Sequence, residues 1–215
     1  MGLFYRGDSQ MAEGWSVKPA PAISWSGVEE HESALVERCL QGDETACAAL
    51  VDGHQRMVYQ LALHLLGDPQ EALDLSQDVF LQVFRSLPRF RGQSALRTWI
   101  YRIVVTQARN RQRWWRRRLS HAQVSLDDHV RSNGEFPTTM ISAAPDRVLS
   151  QKELARQLWS ALEDLPFEQR TAIVLREIDG LSYEEIAFSL GVAVGTVRSR
   201  LARARESLRS QLRGL

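Results

Sequence analysis

Between Leu181 and Arg205 the chain carries a run of residues that leaves its backbone little choice. Ser182, followed three positions later by Glu185, is spaced as a capping box, the reciprocal pair that satisfies the free N–H groups at a helix start. Ile186, Ala187 and Leu190 then fall on one helical face, Gly191 supplies a left-handed corner, and Val192 plugs it. A second helix is expected to begin near Gly195-Thr196. At 100° per residue, Val197, Leu201, Ala204 and Leu208 cluster within about 60° and must face inward, while Thr196, Ser199 and Arg203 point nearly the opposite way, flanked by Arg198 and Arg200. This is the order of a helix-turn-helix, whose second helix enters the DNA major groove. An ordinary helical hairpin with a solvated arginine face leaves the agreement of turn, cap, core and charge unexplained.

The rest of the chain also reads as helix. From Glu29 the apolar spacing turns helical, with Leu35, Cys39 and Leu40 on one face and a break at Gly42-Asp43. A second helix runs from about Asp43 to Leu66 on Ala46, Leu50, Met57, Val58, Leu61, Ala62 and Leu65, and Gly67 ends it. Asp68 and Pro69 open a third, with Glu71 completing a capping box and Ala72, Leu75, Val79, Val83 and Leu87 inside. After the loop Phe90–Ser94 a fourth helix places Leu96, Trp99, Ile100, Ile103, Val104 and Ala108 inward and continues to Arg118. Shorter helices fill residues 147–215, the first lined by Leu154, Leu158 and Leu162, the next starting at Pro166, carrying Ile173, Val174 and Ile178, and closed by Gly180. No β-pattern of useful length intervenes. The expected fold is all-α, with two small helical domains at 29–118 and 147–215. A Ser-, Thr- and Asp-rich flexible linker at 119–146 joins them, and residues 1–28 form a mobile tail in which Trp15 and Trp25 have no evident role.

The charges are segregated. The 27 basic and 26 acidic residues nearly cancel, yet residues 31–84 hold nine acids against two arginines, and residues 85–118 hold eleven arginines and no acid. Residues 191–215 add six arginines against one glutamate. Lys18 and Lys152 are the only lysines, and arginine's planar fork suits phosphates and base edges better than a point charge does. A solvated surface mixes both signs; two arginine blocks point to a polyanion. The run from Arg109 to Arg118 interleaves six arginines with Trp114 and Trp115, which can stack on exposed bases as single-strand binders do. On the third helix Asp74, Gln77, Asp78 and Leu81 lie off the main stripe, with Phe80 and Phe84 widening the apolar face; such a mixture suits a protein partner with basic grooves or, equally, a solvated helix side.

Catalysis finds no foothold. No Gly-rich phosphate loop, nucleophile elbow or Cys-x-x-Cys pair is present, and His31, His54, His64, His121 and His129 lack metal-ligand spacing, so no enzyme activity, metal, cofactor or small-molecule substrate is expected. Cys39 and Cys47, eight apart across a helix break, read as reduced core thiols, with a redox-sensing disulfide as the alternative, and His54 and His64 as helix-surface residues. With no apolar run near the ~18 residues of a membrane span and no signal segment, the expected location is the cytoplasm.

Taken in order, the acidic helix, the Phe-Arg-Gly-Gln-Ser loop, the Arg-Thr-Trp-Ile-Tyr-Arg-Ile helix with its basic end, a linker and the helix-turn-helix resemble bacterial sigma factors of the extracytoplasmic-function group across residues 31–215. The resemblance implies binding to core RNA polymerase through Asp74, Gln77, Asp78, Phe80 and Leu81. It implies that Phe90, Arg91, Gly92, Ser94, Thr98, Trp99, Arg102, Thr106, Arg109, Asn110, Arg113, Arg116 and Arg117 bind single-stranded promoter DNA at the −10 element and assist its melting. It further implies that Ser182, Thr196, Arg198, Ser199, Arg200, Arg203 and Arg205 bind duplex at the −35 element. An anti-sigma protein, in many cases membrane-bound, is the other implied partner, and it would hold the chain at the inner membrane. Four positions depart from the family's usual residues: Thr106 for Asn, Asn110 for an acid, Ala193 for Pro and Cys47 for an aromatic. The rival reading is a stand-alone transcriptional regulator that uses the helix-turn-helix alone and needs no polymerase.

Overall fold

A computed structural model describes residues 30–121 and 145–213. The expectations for the tail and for nearly all of the linker lie outside the described residues. Within them the fold is helical throughout: α1 (Glu30–Leu40), α2 (Glu44–Leu66), α3 (Pro69–Ser86), α4 (Leu96–His121), α5 (Pro145–Glu163), α6 (Phe167–Ile173), α7 (Tyr183–Leu190) and α8 (Val194–Gln211). A 3₁₀ turn at Leu87–Arg89 follows α3, and a π-helical turn at Val174–Ile178 extends α6.

Local chemistry sets the helix ends. Asp43 caps α2 by accepting from the Thr45 and Ala46 N–H groups, and Gly67, at φ 76°, closes it in the left-handed region that costs other residues most. Asp68 accepts from the Glu71 N–H at 2.8 Å, and Pro69 occupies the first turn of α3. The expected capping box is only half made there, because the Glu71 carboxylate turns away to pair with Arg111 of α4 at 2.9 Å. Arg111 also reaches Asp78 at 3.2 Å and so pins α3 to α4 across the bundle.

The α1–α4 core contains the predicted stripes: Leu50, Val58, Leu61, Ala62 and Leu65 of α2, Ala72, Leu75, Val79 and Val83 of α3, and Leu96, Ile100, Val104 and Ala108 of α4 are buried. Leu40 is not part of it; Val36 takes the inward place, because α1 ends at Leu40 and the chain turns there at Gly42. That turn brings the Cα atoms of Cys39 and Cys47 to 5.1 Å, and the two are disulfide-bonded, which corrects the expectation of free thiols.

In the C-terminal unit Leu162, Leu165, Phe167, Ile173 and Val174 pack with Ile186, Leu190, Val197, Leu201 and Ala204. Leu154, Leu158 and Ile178 were expected inside but lie exposed. Among the described side chains of α5, Ala161 and Leu162 are buried and Trp159 packs on the core, while Leu154 and Leu158 do not reach it; the π-helical turn rotates Ile178 outward while Val174 and Leu175 stay buried.

The two units are also packed on each other. α7 lies along α4, and Trp159 of α5 stacks on His64 of α2 with ring centroids 4.5 Å apart. His64 is therefore half-buried rather than on the surface, and burial draws its pKa down to about 4. His54 is likewise half-buried, and burial lowers its pKa.

Candidate nucleic-acid interface

α8 presents the two faces that the angular count requires. Val197, Leu201 and Ala204 are buried, Leu208 packs at the edge of the core, and Arg198, Ser199 and Arg203 stand in solvent. The approach to this helix is built as expected. Ser182 Oγ accepts from the Glu185 N–H at 3.2 Å, the Ser182 N–H donates to Glu185 Oε2 at 2.8 Å, and Gly191 turns at φ 65°. Val194 opens the helix, one residue earlier than predicted, with Ala193 as an N-cap lacking a side-chain acceptor. That leaves N–H groups of the first turn without a side-chain partner at the end of α8 that a recognition helix turns to the groove. Two arginines of the set are already engaged: Arg205 with Glu177 at 2.7 Å and Arg200 with Glu168 at 2.8 Å. Thr196 is half-buried and accepts, through its carbonyl, from Ser199 Oγ at 2.9 Å.

The second basic surface divides along α4. Its end is open: Asn110, Arg113, Arg116, Arg117 and Arg118 are exposed, and the Arg118 guanidinium lies 4.6 Å over the exposed Trp114 ring. At the opposite end of the helix, the loop before α4 turns at Gly92 with φ 64°, Arg91 is exposed, and Phe90 lies 5.1 Å from Trp99, both half-buried. Thr106 is half-buried and donates to the Arg102 carbonyl at 2.7 Å.

The first half of α4 is covered. Ser94 is wholly buried and Thr98 is 3% exposed. Thr98 Oγ1 donates to Glu185 Oε1 at 3.4 Å, and Ser189 Oγ donates to the Thr98 carbonyl at 3.4 Å. The Arg102 guanidinium lies 5.3 Å over Phe188 of α7, and Arg109 pairs with Glu168 at 2.9 Å. Between these residues sits Tyr101, fully buried, its hydroxyl accepting from Arg97 at 2.9 Å and donating to Asp179 Oδ1 at 3.0 Å. Burial pushes the Asp179 carboxyl up to about 6, and its Oδ2 has no partner. Burial and the neighbouring Asp179 charge hold the Tyr101 phenol well above its usual range.

On α3, Asp74, Gln77, Asp78 and Leu81 face solvent with Leu73 beside them, while Phe80 is half-buried. Gln70 donates to Asp74 at 3.2 Å, and Asp78 is shared with Arg111. Tyr101, Asp179 and Glu168 were missed as site residues by the sequence reading. Their importance depends on which helices of the second unit meet α4, and no local spacing carries that information. No cluster able to hold a metal occurs among the described residues.

Two arginine-rich helices on two helical units, one in a helix-turn-helix and the other interleaved with aromatics, define a two-site nucleic-acid-binding protein. Models of sigma-70 region 2 and sigma-70 region 4 match residues 50–118 and 150–208. The chain is 37% identical over 187 residues to the RNA polymerase sigma-H factor of Pseudomonas aeruginosa, covering 87% of this chain and 96% of that one. It is 37% identical over 186 residues to the ECF RNA polymerase sigma-E factor of Escherichia coli, covering 86% and 95%. Its fold resembles that of the sigma factor RpoE of Bartonella quintana, solved in complex with the anti-sigma factor NepR, with a TM-score of 0.63, 25% identity and coverage of 77% of this chain and 96% of that one. The chain belongs to the extracytoplasmic-function group of RNA polymerase sigma factors, which bind core polymerase and promoter DNA and direct promoter-specific transcription initiation. Among the described helices none is long and apolar enough to cross a membrane.

Proposed function

We propose that this sigma factor divides its work among three helices. α3 docks on core polymerase through Asp74, Gln77, Asp78, Phe80 and Leu81, with its acids toward basic grooves of the partner. α8 reads the −35 duplex with Arg198, Ser199 and Arg203 toward bases and phosphates, and Arg200, Arg205, Thr196 and Ser182 at its borders. α4 and the loop before it hold the −10 strand once it is opened. Arg91, Arg102, Arg109, Arg113, Arg116 and Arg117 meet phosphates, Phe90 and Trp99 offer stacking surfaces, and Gly92, Ser94, Thr98, Thr106 and Asn110 border the strand.

Melting then requires no bond chemistry from this chain. A base that leaves the stack is captured, and the capture offsets part of the cost of unpairing; synthesis stays with the polymerase. The observation that carries the reading is the α8 geometry, with its exposed arginine face set opposite a closed Val197–Leu201–Ala204 core. An anti-sigma protein fits as a further partner. The Bartonella neighbour was solved with one, and the exposed Leu73 and Leu81 beside Asp74 offer an apolar and acidic face on α3.

Run-off transcription with purified core polymerase on fragmented genomic template tests this reading. Discrete transcripts that need both the chain and core are expected. The absence of any chain-dependent transcript, with active core in the reaction, contradicts it.

A further inference from the structure

Two reactive side chains lie outside the surfaces described above. Cys39, in the last turn of α1, is 7% exposed, whereas Cys47, at the start of α2, is only half-buried. The chain reverses between them at Gly42, φ 84°, and the bonded pair has its Cα atoms 5.1 Å apart. Cys47 Sγ also lies 3.8 Å from the Cys39 carbonyl oxygen, the acceptor that a thiol at Cys47 takes once the bond is opened. One geometry thus serves both redox forms. Core polymerase works among reducing thiols, where a disulfide persists chiefly as a transient or sensing bond.

What the bond holds is α1, and α1 supports both ends of the loop before α4. It packs on α2 and on the 3₁₀ turn at Leu87–Arg89, which leads into the loop. At the far end, Glu32 accepts from the Leu96 N–H at 3.3 Å, where α4 begins. α4 has no acid in its own first turn, so this carboxylate on α1 supplies the charge that a helix N-terminus favours. Yet α1 is weakly anchored. Of its described side chains only Val36 and Cys39 are buried, and a helix of 11 residues is too short to persist undocked. Arg38 also crosses the turn, pairing with Asp43 at 2.7 Å, but the pair is exposed and of a kind that contributes little.

We propose that Cys39 and Cys47 form a reversible thiol–disulfide site, and that closing the bond clamps α1 and so orders the Phe90–Ser94 loop and the start of α4 for the −10 strand. The second half rests on the reading of that loop given above. Cys47 is the attacking thiol: it is the more exposed of the two, and the N-terminus of the 23-residue α2 favours its thiolate. The oxidant is a small disulfide of the glutathione class. The Cys47 thiolate attacks one of its sulfurs, releases one glutathione and is left as a mixed disulfide. Cys39, its proton lost to solvent, then attacks Cys47 Sγ and releases the second glutathione. Two electrons and two protons have passed from the chain to the glutathione pair, and a dithiol of the thioredoxin class returns them. The bond closes a ring of residues 39–47, which shifts the equilibrium between undocked and docked α1 by roughly 10–100-fold toward docking.

The full-length chain tests this in two forms, one reduced with a dithiol and one oxidised with glutathione disulfide, each then freed of reagent. Maleimide labelling and mass spectrometry count free thiols, and hydrogen–deuterium exchange reads residues 32–40 and 90–97. The oxidised form should expose no thiol and the reduced form both, and a dithiol should convert the first into the second. Exchange in both segments should be about tenfold slower in the oxidised form. Cys47→Ser, at a half-buried position outside the proposed binding sets, should exchange like the reduced form after either treatment. With limiting chain and the same core polymerase, the oxidised form should leave severalfold more −10 thymines reactive to permanganate. Failure of the bond to form overturns the proposal, as does a lasting mixed disulfide at Cys47 or a bond that leaves exchange at 90–97 unchanged. Equal promoter opening by the two forms overturns its second half. A difference in exchange supports the clamp even where neither form opens a promoter with core, an outcome that counts instead against the functional reading.

Discussion

Replacing Tyr101 by Phe removes one oxygen from the place where the two units touch, and its cost can be worked from the groups around it. The ring is fully buried, and its hydroxyl joins Arg97 on one side to Asp179 on the other. Without the hydroxyl, Asp179 Oδ1 loses a donor while Oδ2 already has none. A hydrogen bond to a charged acceptor contributes about 1.5–3 kcal/mol. The carboxyl has an escape, however. Its pKa of about 6 lies one unit below neutral pH, so protonating it costs only about 1.4 kcal/mol. Tyr101→Phe should therefore cost about 2 kcal/mol at pH 7, and nearer 1 kcal/mol at pH 5, where the carboxyl is largely neutral and only a neutral hydrogen bond is lost. Urea unfolding followed by far-ultraviolet circular dichroism measures this as a shift in midpoint at constant slope. In an Asp179→Asn background the same substitution should cost less, giving a coupling of about 1 kcal/mol in the double-mutant cycle. Strict additivity of the two substitutions would refute the reasoning, because it would mean that the two side chains do not meet.

Asp179→Asn alone isolates a pH effect. The carboxyl is raised in the folded chain by burial, so its contribution is fully present below the unfolded value of about 3.8 and is lost as pH rises through about 6. The Asn variant should gain relative to wild type across that window, with Tyr101 and Arg97 the groups around it common to both chains; a difference that stays flat from pH 4 to 7 contradicts the assignment. Leu201→Ala, at a 1% exposed position, should cost about 2–5 kcal/mol in thermal or urea unfolding and abolish duplex binding by loosening α8. Reversing charge at Asp74 and Asp78 together should weaken core-polymerase binding in a pull-down or titration while leaving duplex binding unchanged; unaltered core affinity removes α3 as the docking helix. If six arginines of α4 and its loop meet phosphates in the complex with core, affinity for opened promoter should fall with salt at a log–log slope of about −4 to −5, and a slope near zero is incompatible with phosphate contacts by these side chains.

Local signals were enough for most of the fold. The Ser182–Glu185 box, the Gly191 corner and the inward set on α8 all lie within a few residues of one another, so spacing alone fixes them. The α3 stripe was legible for the same reason. The half-made box at Glu71 was not, because its carboxylate is claimed by Arg111, forty residues away. Leu154 and Leu158 show the limit of periodicity: leucines at i and i+4 declare a helix face, yet a buried face also needs a partner, and among the described side chains of α5 the core contacts begin at Trp159. Residue types placed the arginines of α4 on a candidate DNA surface. Which of them are free depends on the second unit, and Thr98, Arg102 and Arg109 are engaged by residues 59 to 91 positions away. The disulfide was hidden because a spacing of eight is compatible with many geometries until the Gly42 turn brings the two α-carbons together.

The central claim is that this chain opens promoters only as part of a polymerase complex, with α8 on duplex and α4 on the separated strand. Permanganate probing of unpaired thymines, combined with DNase footprinting on one promoter fragment, tests it directly. Chain and core together should protect the −35 region and render thymines at the −10 element reactive, and the chain alone at the same concentration should do neither. Full −35 protection by the chain alone, with no thymine reactivity when core is added, contradicts the account.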